Sequence, residues 1–266
     1  MRYKFAEDAK PQVNLLIFAT VISVVLWILS TWFFPSLNFV LYPLQLFATF
    51  VHEGSHVLAT VLTGNSVQSL TVSPDASGVV WSTTSGWISQ LFISSAGYLG
   101  ATLFGTLLLV WMRFNYSSRK ALYFSAGFVG IMTVIFGLLA PMWNILSVKV
   151  TFLSVIFTVF SGAILTLGLL AIARFASMKW VNFALGFLAV QCLLNAVFSL
   201  KDLFYISVAT DVPNDAANMA AATGIPALMW VLIWFGISIL MISVGLRFYA
   251  VSRNKAQQDL PFEDNI

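Results

Sequence analysis

The two histidines of this 266-residue chain sit in one pentapeptide, His52-Glu53-Gly54-Ser55-His56. On a helix, residues four apart share a face, so both imidazoles can point at one metal ion. Glu53 then falls beside them, placed to take a proton from a water that the ion activates. Zn2+ suits this donor set: in hydrolytic sites it takes three protein ligands and keeps a fourth position open. A single histidine in an apolar segment is more often a packing or hydrogen-bonding residue. A pair at this spacing, with glutamate between, points to chemistry.

No histidine remains for the third ligand, which leaves the carboxylates. Glu7 and Asp8 precede the first apolar run, Asp259, Glu263 and Asp264 lie in the C-terminal tail, and Asp75 falls at a turn. Asp202, Asp211 and Asp215 are better placed. Gln191, Asn195, Ser199 and Asp202 are spaced by four, four and three residues, one polar stripe if their helix continues that far. Polar side chains in a membrane helix face the bundle interior, which favours Asp202 as the ligand, with Asp215 next. The plainer alternative makes Gln191 and Asn195 contacts between helices and Asp202 a partner of Lys201.

These residues need a scaffold, and the composition says where it stands. Fifty-nine per cent of residues are hydrophobic, nine per cent are charged, and the mean hydropathy is +0.91. Soluble domains carry about a quarter charged residues, so this chain is read as a multi-pass integral membrane protein. Net charge is +3, and the basic residues flank apolar runs, which reads as interface anchoring in the lipid bilayer and not as nucleic-acid binding. The single cysteine, Cys192, allows neither an intrachain disulfide nor a cysteine metal cluster.

Seven runs are long enough to span a bilayer as helices, at about 13–34, 37–63, 88–112, 121–140, 149–173, 178–200 and 226–249. The first lacks a small-residue cleavage site and is read as a retained helix. The expected fold is an all-α polytopic membrane protein of about seven transmembrane helices with a small β-hairpin after the second. It forms a single membrane domain over 1–266, with a bundle at 12–250 and polar tails at 1–11 and 251–266. The hairpin comes from alternating stretches at 67–72 and 79–82, split by the turn formers Ser73-Pro74-Asp75-Ala76-Ser77-Gly78. In 201–225, an Ala-rich stretch stopped by Gly224 predicts a short interfacial helix capped by Asn214. Seven spans put the two termini on opposite faces. Eight Lys or Arg then fall with the third–fourth and fifth–sixth connections and the C-terminus, against five opposite, a split that favours the N-terminus outside without fixing the orientation. Ala96-Gly97-Tyr98-Leu99-Gly100-Ala101, then Gly105, has small-residue spacings that admit a close helix neighbour, expected to be the metal-site helix.

The apolar H-E-x-x-H helix, the Gly-Asn turn and hairpin after it, and the Ala-Gly-Tyr-Leu-Gly helix together resemble the M50 metallopeptidases, in the M50B-like branch related to site-2 proteases. The resemblance spans about 45–230. It implies a zinc enzyme that cuts peptide bonds of membrane-associated proteins or peptides, with His52 and His56 as ligands and Glu53 as general base. It also implies a third-ligand aspartate within an Asn…Pro…Asp-Gly pattern. Asn195 and Asp202 fit that pattern in order; its prolines are absent, and Leu203 stands at the glycine position. The hairpin would hold an extended substrate by strand addition. The alternative is a non-catalytic membrane scaffold of the same fold. A transporter is disfavoured, because no run carries a recurrent series of charges and there is no inverted repeat.

Overall fold

The computed structural model describes residues 7–114, 116–145, 150–209 and 213–250. Asp211, one of the candidate ligands, and the tail carboxylates Asp259, Glu263 and Asp264 lie outside them. Eight helices and one hairpin follow in chain order. They are α1 (Lys10–Trp32), α2 (Asn38–Leu62), β1 (Val67–Val72), β2 (Gly78–Ser82), α3 (Trp87–Arg113) and α4 (Ser118–Trp143), then α5 (Phe152–Phe175), α6 (Met178–Ala209), α7 (Asp215–Thr223) and α8 (Ala227–Ala250). Within α4, Met132–Leu139 is wound as a π-helix. The short 215–223 helix forms as the sequence predicts. Asn214 Oδ1 accepts from the Ala217 N–H at 2.9 Å, and Gly224 ends the helix in the left-handed conformation at φ 73°.

Among the described residues, six helices are long and apolar enough to cross a membrane: α1, α3, α4, α5, α6 and α8. The chain is a multi-pass integral membrane protein. The seventh expected span, 37–63, is α2. It is long enough at 25 residues, but Gln45, His52, Glu53 and His56 interrupt its apolar character, and it is not among the six.

This change reorders the two faces. Arg113, at the end of α3, donates to Asp8 Oδ2 at 3.0 Å and to the Phe248 carbonyl near the end of α8 at 2.8 Å. Arg119, in the first turn of α4, donates to the Ala173 and Ala176 carbonyls at the end of α5. One face therefore gathers the starts of α1, α4 and α6 with the ends of α3, α5 and α8. The expectation that the N-terminal segment lies opposite the α3–α4 connection is corrected by these bonds: an even number of spans returns both ends to one face. Segment α2 and the hairpin leave from the far end of α1 and return to the start of α3, which is the same, opposite face.

The hairpin pairs Leu70 with Val80 and Val72 with Gly78, with a register irregularity between Val67 and Ser69. Its turn is tied to α2, since the Tyr42 hydroxyl donates to the Pro74 carbonyl at 2.6 Å and the Thr49 hydroxyl to the Ala76 carbonyl at 2.7 Å. At the tip, the Ser77 hydroxyl and N–H both donate to Asp75 Oδ1 and hold that carboxyl below its usual range. The outer edge of β1 is covered: the Val72 N–H donates to Thr158 Oγ1 on α5 at 2.8 Å, and the Thr158 hydroxyl donates in turn to the Ser154 carbonyl. The outer edge of β2 has no strand partner among the described residues.

Thr158 is fully buried. Thr158→Val keeps its shape and leaves the Val72 N–H without its acceptor, at an expected cost of about 1–3 kcal/mol. The thermal unfolding midpoint in detergent should fall accordingly; an unchanged midpoint would show that this edge contact does not hold the hairpin.

Candidate metal centre

Segment α2 is wedged between two helices, and the two middle residues of its motif make the wedge possible. A Cβ at Gly54 would lie 2.6 Å from the Phe128 ring of α4, and Ser55 sits against Gly100 of α3. Gly97, one turn earlier on α3, faces both histidines so closely that a Cβ there would overlap His52 Nε2 and His56 Nε2. The expected partner of the Ala-Gly-Tyr-Leu-Gly segment is thus the metal-site helix at Gly97 and Gly100. Gly105, further along, faces Cys192 and Leu193 of α6 instead.

His56 Nε2 lies 3.2 Å from His52 Nε2 and 3.4 Å from Asp215 Oδ2, and the donor atoms of these three residues all lie within 4.8 Å of one another. Four-coordinate zinc, with bonds of about 2.0–2.1 Å, holds its ligand atoms roughly 3.3 Å apart. The separations therefore suit that ion. His56 Nδ1 is 2.6 Å from the Ile93 carbonyl of α3. An Nδ1–H donating there leaves the Nε2 lone pair facing the other two donors, the usual way a backbone acceptor fixes a ligating imidazole.

Charge points the same way. The three residues and Glu53 line a cavity of about 510 Å³ with Gln90, Tyr98 and the whole of β2, and among the described residues no Lys or Arg lines it. Glu53 and His56 are each only 6% exposed. Glu53 is a buried carboxylate and Asp215 a half-buried one whose charged neighbour is His56, a pair that calls for a cation or a proton. Glu53 itself lies against the backbone of β2, where a Cβ at Gly78 would come 2.7 Å from its Oε1. The absence of a side chain at Gly78 lets the carboxylate pack directly against the strand.

The expectation that Asp202 joins the histidines needs correction: Asp215 stands there instead. The premise was sound, since α6 does run past 202. However, Leu200 and Leu203 turn inward and are nearly fully buried, and at 100° per residue that sends Asp202 outward. Its Oδ1 lies 2.9 Å from Lys201 Nζ on an exposed surface. The rest of the stripe also faces elsewhere. Gln191 Nε2 donates to Ser23 Oγ of α1 at 3.1 Å, and Gln191 and Asn195 line a separate cavity of about 50 Å³ with Ser23 and Gln45. Asp215 begins α7, whose Ala216 and Met219 pack into an apolar cluster with Tyr98, Leu200, Leu203, Val231 and Trp234. Trp234 donates from its indole N–H to Ser95 Oγ at 2.9 Å and stacks on Tyr98 at 5.2 Å, and the Tyr98 ring meets His52 edge-on at 4.7 Å. The Ile93 carbonyl, Gly78 and Trp234 thus shape the site without any motif announcing them.

A family model described as Peptidase M50B-like matches residues 16–245. The chain belongs to the M50B-like peptidase family. No curated protein and no solved structure matches it. The matched region of this M50B-like family member contains the histidine pair, the hairpin, the Gly97 helix and Asp215, so every residue of the cavity falls inside it.

Gly97→Ala tests the packing directly. The added methyl has no room beside the two Nε2 atoms, so metal retention under chelator challenge should fall by about 10–100-fold, the range seen when a ligand's support is disturbed. Retention equal to wild type would show that the histidines do not depend on this approach.

Proposed function

We propose that the chain is a zinc metallopeptidase that hydrolyses peptide bonds of membrane-associated proteins or peptides. His52, His56 and Asp215 would hold the zinc, and Glu53 would be the general base. The observation that carries this reading is that Glu53 shares one cavity with the three donors and with the whole of β2, and packs against that strand at Gly78. A structural metal site needs three or four donors and no carboxylate standing beside them with access to a cavity.

When bound, zinc lowers the pKa of a coordinated water and polarises the scissile carbonyl. The work of the chain's own residues follows from their positions. The Ile93 carbonyl holds the His56 ring by its Nδ1–H. Asn214 caps α7 and so fixes the first residue of that helix, Asp215. The unpaired edge of β2 offers backbone donors and acceptors to an extended peptide, as in strand addition. A substrate helix has to unwind to use them, because its own carbonyls are otherwise engaged. Glu53 packs against Gly78 and lines the same cavity as β2, so a peptide lying along β2 in that cavity would bring its backbone near the carboxylate. Glu53 Oε1 or Oε2 accepts the water proton and passes it to the departing amine nitrogen.

The non-catalytic scaffold alternative gives Glu53 no task. Glu53→Gln separates the two readings: zinc content should remain while cleavage of a membrane substrate falls by at least about a hundredfold, the lower range for loss of a general base. Cleavage at the wild-type rate by the Glu53→Gln form would refute the peptidase reading.

A further inference from the structure

The proposal above leaves open which side of the membrane presents the substrate. The two ends of the bundle differ sharply in charge. The face that gathers the starts of α1, α4 and α6 with the ends of α3, α5 and α8 carries Lys10 and Arg113, then Arg119 and Lys120, then Arg174 and Lys179, and Arg247 in the last turn of α8. At the opposite end, the described residues include only Lys201, which is paired with Asp202 at 2.9 Å. In sequence, Arg2 and Lys4 precede α1, Arg253 and Lys255 follow α8, and Lys149 precedes α5. Among the described residues, seven Lys and Arg therefore flank the first end and one lies towards the other. Those seven lie in the first or last turns of their helices, at the membrane boundary, where basic residues decide orientation.

The cavity belongs to the poorly charged end. Its rim includes Ser82 and Thr84, just before α3, and Pro213 and Asn214, just before α7. Gly97, which touches both histidines, is ten residues from the Trp87 end of α3 and sixteen from Arg113. At the helical rise those distances are about 15 Å and about 24 Å. The donor atoms thus sit in the half of the membrane away from the basic face.

We infer that the basic face is cytoplasmic and that the catalytic cavity opens on the non-cytoplasmic side. This rests on the peptidase reading only for its consequence: the segment presented for cleavage is the non-cytoplasmic end of a membrane-spanning or membrane-associated chain, entering along β2 from that side. The sequence-based placement of the N-terminus outside is reversed, because six spans bring the N-terminal basic residues to the same face as the others.

Cysteine labelling tests the orientation without requiring activity. Cys192 is the chain's single cysteine and is buried, so it gives a silent background. Ser85→Cys places a thiol at an exposed position beside the cavity rim, and Ser177→Cys places one at an exposed position between α5 and α6. In intact cells expressing the full chain, a membrane-impermeant maleimide should label Ser85→Cys. Ser177→Cys should remain unlabelled until the cells are permeabilised. The opposite pattern, or equal labelling of both in intact cells, would overturn the assignment. The readout is independent of zinc and cleavage, so failure of the peptidase reading leaves it interpretable, and the Glu53→Gln chain should label identically.

Discussion

Two imidazoles and two carboxylates share one cavity that, among the described residues, no Lys or Arg lines. In a protein of this composition, that is the arrangement the rest of the molecule has to support. Burying the Glu53 carboxylate beside half-buried Asp215 is costly, and a divalent cation held between His52, His56 and Asp215 would offset the cost while leaving Glu53 free. The same polar residues explain why α2 is absent from the helices apolar enough to span. Helices α3, α4 and α6 surround it, so the motif faces protein and a cavity more than lipid. His56 is met by the Ile93 carbonyl, the His52 ring and Asp215, and Glu53 packs against β2 at Gly78.

Two apolar clusters hold the two halves of the site. The larger one contains Phe47, Phe50, Val51 and Val57 of α2 with residues of α1, α3, α4, α5 and α6, and it fixes the histidines. The smaller one, around Trp234, contains residues of α3, α6, α7 and α8 and fixes the helix that begins with Asp215. Tyr98 joins them, stacked on Trp234 on one side and edge-on to His52 on the other. The geometry of the three donors therefore depends on how these clusters seat against each other. Gly97, beside Tyr98 in sequence, sets how closely they approach.

Much of this was legible in the sequence, for physical reasons that also explain what was not. Long apolar runs located the six spanning helices, the alternation around Pro74-Asp75 located the hairpin, and Asn214 with Gly224 located α7. Each of these signals is local. The H-E-x-x-H spacing is local as well, and it put His52, Glu53 and His56 together. The third donor is a long-range fact: Asp215 reaches His56 from 159 positions away, on a nine-residue helix with no pattern of its own to report its neighbours. A regular polar stripe drew attention to Asp202, yet a stripe reports only that one face differs from the others. Here that face meets Ser23 and Gln45 along its middle and solvent at its end. Six of the seven expected runs are helices long and apolar enough to cross a membrane, and the seventh, α2, is a helix of full length whose polar motif residues lower its apolar character.

The central claim is that His52, His56 and Asp215 form one zinc site. Metal content of the purified, detergent-solubilised chain tests it most directly, compared with His56→Ala, Asp215→Ala and Asp202→Ala. The account predicts stoichiometric zinc in wild type and in Asp202→Ala, and its loss in His56→Ala and Asp215→Ala. Zinc retained by Asp215→Ala and lost by Asp202→Ala, or wild type without stoichiometric zinc, would contradict it.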